Sequence, residues 1–236
     1  MLLRRPMAAV LALLVLAAGT AHARGQLQTR QTGVDLPAGT RAGRLVLANT
    51  GDAPIAAQIR VYAWRQEGGE DVLEPTSALV VSPAIVEIPA NGEHLVRVVR
   101  PDGSAVAHEQ AYRVVVDELP GDPADDSSTV QVRMRFLIPV FVRAADPAPA
   151  ALVCRLEPSA LACSNSGGRA AQLGATHLSN GAQRFEVTPG LLGYVLAGGM
   201  RRFAIDANTL AKAGPQSRLE VRLNGEPATL DLARAP

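Results

Sequence analysis

The chain is poor in the residues that build most active sites. Aromatic residues make up only 3% of its 236 residues. Its core must therefore be assembled from Val, Leu, Ile and Ala. Two cysteines, Cys154 and Cys163, are too few for a structural zinc site, and no histidine lies near them. Of the four histidines, only His94, His108 and His177 follow the first 23 residues. None sits near a Gly-x-Ser-x-Gly elbow, and there is no HExxH or phosphate-binding loop. No catalytic constellation emerges, so the sequence reads as a non-enzyme that needs no cofactor and no metal. A net charge of +1 excludes a strong field toward nucleic acid or an anionic membrane.

The one long apolar run lies at the start. Arg4 and Arg5 form a basic segment, Met7 to Ala18 is apolar, and Ala21-His22-Ala23 is a small-x-small cleavage site. This is the pattern of a cleavable signal peptide over residues 1–23. Twelve apolar residues are too short to span a bilayer. Export is expected, with the mature chain starting near Arg24. Without residues 1–23 the chain has 213 residues, 21 basic and 22 acidic. That length suits two domains of about 100 residues each.

Short alternating segments follow. Arg44–Ala48 reads as a strand that runs into the turn Asn49-Thr50-Gly51-Asp52. In Ile55–Trp64, Ile55, Ala57, Ile59, Val61 and Ala63 share one face, with Gln58, Arg60 and Tyr62 opposite. Gln66–Asp71 reads as a loop. Ser82-Pro83 interrupts two apolar runs, which predicts a kinked edge strand. His94–Arg100 and Tyr112–Leu119 alternate again. In Thr129–Val142, Val130, Val132, Met134 and Phe136 form an apolar row, with Gln131, Arg133 and Arg135 opposite. From Leu137 the run becomes apolar on both faces, as in a strand entering a core. Such a strand is either an ordinary sandwich strand or one whose apolar row belongs to a partner. About seven short strands with no helical pattern predict an immunoglobulin-like sandwich over residues 24–143.

Residues 144–151, rich in Ala and Pro, read as a semi-rigid linker. A second domain is expected over 152–236. Its Leu161-Ala162-Cys163-Ser164-Asn165-Ser166-Gly167 loosely echoes Leu47-Ala48-Asn49-Thr50-Gly51. Asn224-Gly225 between two alternating runs predicts a hairpin. One cysteine pair in an exported chain predicts a Cys154–Cys163 disulfide stapling a hairpin at the start of this domain.

Five stretches carry a resemblance: Gln58–Trp64, Ser82-Pro83, Leu95–Arg100, Tyr112–Pro120 and Arg135–Val142. They occur in the same order as in the PapD-like periplasmic pilus chaperones. The Ile138-Pro139-Val140-Phe141 version looks most like the archaic chaperone–usher branch. The resemblance implies an all-β protein, two immunoglobulin-like β-sandwich domains in a boomerang. It implies a periplasmic chaperone whose Val130, Val132, Met134 and Phe136 are lent to a pilus subunit that lacks a strand, before delivery to an outer-membrane usher. The rival reading is an exported two-domain structural subunit or adhesin. A free lending strand must also protect its own apolar edge, which points to self-association. The family anchors the subunit's terminal carboxylate with basic residues, one of them a lysine on the lending strand. Here Pro139 stands at that position. Arg113 is the expected substitute, and Arg30 is the candidate for the second member of the pair.

Overall fold

The computed structural model describes residues 26–121, 132–214 and 216–233. The signal-peptide expectation falls on residues 1–23, outside the described residues, and so does the first member of the apolar row, Val130. Among the described residues, ten strands precede the expected linker: β1 Leu27–Thr29, β2 Val34–Leu36, β3 Ala42–Asn49, β4 Ile55–Glu67, β5 Glu70–Pro75, β6 Val80–Ser82, β7 Ile85–Ile88, β8 Glu93–Val99, β9 Gln110–Glu118 and β10 Arg135–Val142. They form two sheets, one ordered β1-β3-β8-β6 and one ordered β2-β10-β9-β4-β5, with β7 also beside β4. The expected alternation decides which side chains meet between the sheets. Ile55, Ala57 and Ile59 of β4 and Tyr112, Val114 and Val116 of β9 face Leu45, Leu47, Val96 and Val98 of the other sheet.

Two local expectations change. Gln66–Asp71, expected as a loop, is a tight hairpin in which Gly68 and Gly69 have φ of 58° and 87°. Two successive left-handed residues make the turn that matches strand twist, so β4 and β5 pair right up to it. The Ser82-Pro83 kink does more than bend an edge. It passes the chain from β6, paired with β8, to β7, paired with β4 in the opposite sheet. Proline lacks the N–H that would continue the first ladder.

The second half contains β11 Leu152–Glu157, β12 Ala160–Asn165, β13 Ala171–Asn180, β14 Gln183–Val195, β15 Met200–Ala204, the helix α1 Ala207–Ala213, β16 Arg218–Leu223 and β17 Glu226–Asp231. Its sheets are ordered β11-β12-β15 and β14-β13-β16-β17, around a separate core. Cys154 and Cys163 are bonded directly across the β11–β12 hairpin, with Cα atoms 4.1 Å apart. The Asn224-Gly225 hairpin joins β16 to β17, both turn residues having positive φ. Helix α1 has no counterpart among the sequence expectations. Asp206 caps it by accepting from the Thr209 N–H at 2.9 Å.

The faint repeat has a structural meaning. Asn49 is almost fully buried at the end of β3. Its Oδ1 accepts from the Gly51 N–H at 3.0 Å and the Gln26 N–H at 3.2 Å. Its Nδ2 donates to the carbonyls of Ala53 and Ile88. Asn165 at the end of β12 does the same. It accepts from the N–H groups of Gly167 and Ala151, and donates to the carbonyls of Arg169 and Val195. Each side chain fastens a strand end, the turn after it and a distant carbonyl.

The halves meet through an apolar plug and polar ties. Trp64, Phe141, Ala170, Tyr194 and Leu196 bury one another. Gln66 Nε2 donates to the Tyr194 carbonyl at 2.8 Å, and its Oε1 accepts from the Leu196 N–H at 3.0 Å. Arg201 reaches Glu70 at 2.6 Å. Arg143 pairs with Asp35 at 2.5 Å and with the buried carboxylate of Glu109, whose other oxygen accepts from the Ala170 N–H at 2.8 Å.

Asn165→Ala should orphan several buried backbone groups and lower stability by about 2–4 kcal/mol. A urea melt within experimental scatter of the parent would refute that role. Arg143→Ala strands the Glu109 carboxylate and should cost about 3 kcal/mol in the same assay, whereas Arg143→Met with Glu109→Met should recover much of it.

Candidate functional site

Strand β10 serves two surfaces because its residues alternate. Phe136, Ile138, Val140 and Val142 point into the first core. Arg135, Leu137, Pro139 and Phe141 lie on the outer face of the sheet, which at its far end passes under the second half. One edge of β10 pairs with β9 along its whole length. The other edge pairs with β2 only from Val140 to Val142. Pro139 marks the changeover, with its ring against Gly33 at the start of β2. Among the described residues, nothing pairs that second edge over Arg135–Ile138.

The core-facing row continues past the strand's end. Phe136 is half-buried and still packs on the first core. Met134 is 38% exposed and Val132 is 77% exposed. The row thus emerges from the protein's own core and continues into solvent. The backbone near Met134 remains held. Its carbonyl accepts from the Glu118 N–H at 3.0 Å, and its N–H donates to the Glu118 carboxylate at 3.1 Å. Arg133 is exposed, and Arg135 pairs with Asp117 on β9. Asp117 also accepts from Arg60 at 2.5 Å. Burial pushes the Asp117 carboxyl up, but the two arginines outweigh it and hold it below its usual value.

Arg113 lies in the next part of the outer face. It is the cross-strand neighbour of Pro139 on one side and of Tyr62 on the other. Its guanidinium lies over the Trp64 indole, 3.6 Å from the ring centroid, and 5.4 Å from the Tyr194 centroid. Its Nη1 donates to the Leu137 carbonyl at 3.1 Å. Burial pushes its pKa down from the usual guanidinium value, against the opposing pull of Asp71 and Tyr194. A guanidinium remains cationic under such a shift. Within the described residues, no carboxylate forms a salt bridge with it. Arg30 is placed differently. It lies just past β1 with an exposed side chain, and Glu93 accepts from its Nε at 2.9 Å. The structure brings Arg113, Pro139 and the unpaired edge together and leaves Arg30 outside that group. Arg143, which ends the apolar run of β10, is committed to Asp35 and Glu109.

Sequence reasoning missed the aromatic surroundings of Arg113. A signal for one of them existed. Trp64 lies in phase with Gln58, Arg60 and Tyr62 on β4, not with the core row, so the chain's only tryptophan had to be covered by something outside the first core. Tyr194 carried no such signal, because nothing in the sequence brings β14 against β4.

The family described as pili and flagellar-assembly chaperone, PapD N-terminal domain, matches residues 26–148. Solved structures share the fold over nearly the whole chain. The chaperone–tip adhesion subunit complex CsuC–CsuE, from archaic chaperone–usher Csu pili of Acinetobacter baumannii, aligns at 24% identity and a TM-score of 0.66, covering 89% of this chain and 100% of that one. The complex of the SafB chaperone with the SafA pilin from Salmonella enterica aligns at 17% identity and 0.63, covering 90% and 99%. The Pseudomonas aeruginosa chaperone CupB2 aligns at 17% and 0.61, covering 87% and 100%. No curated protein sequence matches. With a free strand edge on an immunoglobulin-like scaffold and just over half its length matched, the chain belongs to the pili and flagellar-assembly chaperone family through its PapD N-terminal domain.

Proposed function

We propose that this protein is a periplasmic chaperone that captures pilus subunits by lending them β10 and delivers them to an outer-membrane usher. The observation that carries this reading is the apolar row of β10, which leaves its own core at Phe136 and continues exposed through Met134 and Val132 beside an unpaired edge. A subunit lacking a strand has the complementary defect, an open groove and unpaired backbone. Strand addition satisfies that backbone, and alternate side chains fill the groove. Burying Val132 and Met134 would contribute about 1.5–3 kcal/mol each, before the costs of association. Val130 extends the row by one more position, and Phe136 is its base. From Pro139 to Val132 the edge offers about 23 Å of backbone, enough for a full strand.

Arg113 is the proposed receptor for the subunit's terminal carboxylate. It sits where the unpaired edge begins, has no carboxylate partner of its own among the described residues, and offers a planar fork suited to bidentate binding. Arg30 already has Glu93 and contributes less on this reading. The domain limits proposed are 24–143, 144–151 and 152–236, after an export signal over 1–23. In the absence of a subunit, two copies would cover the exposed row by pairing their free edges.

Co-expression with the pilin-like subunit encoded alongside should yield a one-to-one complex. Met134→Glu or Val132→Glu should abolish it while leaving the thermal melt of the free chaperone unchanged. Equal capture by parent and mutants would move the binding surface away from β10. Arg113→Ala should weaken the complex about tenfold or more, the range of a lost charged hydrogen bond. Unchanged affinity would remove Arg113 from the interface.

A further inference from the structure

We propose that Trp64 and Tyr194, one from each half of the molecule, are positioning residues that clamp Arg113 and thereby set the preference for a free carboxylate over a neutral chain end. The inference rests on the reading of Arg113 as the carboxylate receptor. Arg30 is paired with Glu93, Arg143 is paired with Asp35 and Glu109, and Lys212 on α1 is the chain's only lysine. A single arginine on a long flexible stem must lose conformational freedom each time it binds. The clamp removes that freedom in advance. The Trp64 ring lies under the guanidinium at 3.6 Å, and the Leu137 carbonyl fixes one of its nitrogens. Tyr194 stands edge-on to Trp64, with centroids 5.6 Å apart and an interplanar angle of 84°. Its hydroxyl accepts from Gln172 Nε2 at 3.0 Å, and its backbone carbonyl from Gln66.

The cost borne at Trp64 points the same way. Trp64 is 3% exposed, and its Nε1 has no hydrogen-bond acceptor among the described residues. A buried donor without a partner is destabilising. Phenylalanine would fill much of the same space without that donor. What phenylalanine supplies less well is a strong π face for a cation, for which indole is the best side chain. Trp64 is thus a poor choice for packing alone and a good one for holding Arg113. Because Tyr194 comes from β14, the clamp is complete only when the two halves are docked. Carboxylate selectivity would then depend on the junction as well as on β9.

The test uses the co-expressed subunit's C-terminal strand as a synthetic peptide, prepared as the free acid and as the amide. The parent chaperone should bind the acid about tenfold or more tightly than the amide. Trp64→Phe should keep or raise the melting temperature while reducing that ratio several-fold. Tyr194→Leu should reduce the ratio similarly, and Tyr194→Phe should preserve it. An acid-to-amide ratio that collapses in Arg113→Ala but stays at the parent value in Trp64→Phe and Tyr194→Leu would overturn the clamp and leave the anchor standing. A parent protein with no preference for the acid would overturn the anchor and the clamp together.

Discussion

A β-strand has two edges and two faces, and β10 uses each of them differently. Its β9 edge is paired throughout, while among the described residues its other edge is paired for only three positions. One face builds the first core, and the other runs under the second half. Pro139 sits where these uses change over. It has no N–H to offer a ladder, which is tolerable only where pairing ends. The open segment that precedes it would be an aggregation hazard on an ordinary domain. Two exposed arginines, Arg133 and Arg135, stand at the start of that segment, where charge discourages indiscriminate pairing.

The junction between the halves takes up a large share of the chain's few aromatic rings. Of eight aromatic residues, Trp64, Phe141 and Tyr194 meet there. The two sandwich cores are aliphatic by comparison, built mainly from Leu, Val and Ile. Large flat rings bury much area with few torsions to freeze, so they suit a small contact between two separately packed bodies. They also present π faces to cations. Arg113 lies over Trp64, and Arg143 lies 4.7 Å from the Phe141 centroid. The two arginines have diverged in role. Arg143 is neutralised by Asp35 and Glu109 and holds the Glu109 carboxylate that accepts from the Ala170 N–H of the second half, whereas Arg113 forms no salt bridge among the described residues.

Asn49 and Asn165 show how the same problem is solved twice. In each half, a strand ends beside a turn whose backbone groups would otherwise be buried without partners. An amide side chain carries both a donor and an acceptor group, so one residue satisfies the turn N–H and a distant carbonyl together. A carboxylate could accept but not donate, and would bring a charge into a buried site. That constraint kept the Asn-x-Gly motif visible in two halves that otherwise share little sequence.

Much of this was legible along the chain because it depends on local rules. Period-two alternation placed strands at β3, β4, β8 and β9, and in β4 and β9 it separated the face that meets the core from the one that does not. The Asn224-Gly225 turn followed from the need for positive φ at two successive positions. The Cys154–Cys163 bond followed from there being only two cysteines in a chain read as exported. The apolar row from Val130 to Phe136 was readable as a row, but its ownership was not. Whether Met134 faces a core or solvent depends on where the opposing sheet stops, which is a property of packing. The hairpin at Gly68-Gly69 reads as a loop in the sequence because β5 is a mostly exposed edge strand and lacks the apolar signal. The surroundings of Arg113 were also out of reach. Tyr194 is 81 residues away in the chain, and only the docking of β14 against β4 brings it to that guanidinium. Local pattern along the chain was enough for the all-β fold class, most strands of the first half and two hairpins of the second, because alternation and turn chemistry act between near neighbours. The tertiary structure decided which edge stayed open and which arginine stood beside it, because edges and neighbours exist only once separate strands have packed.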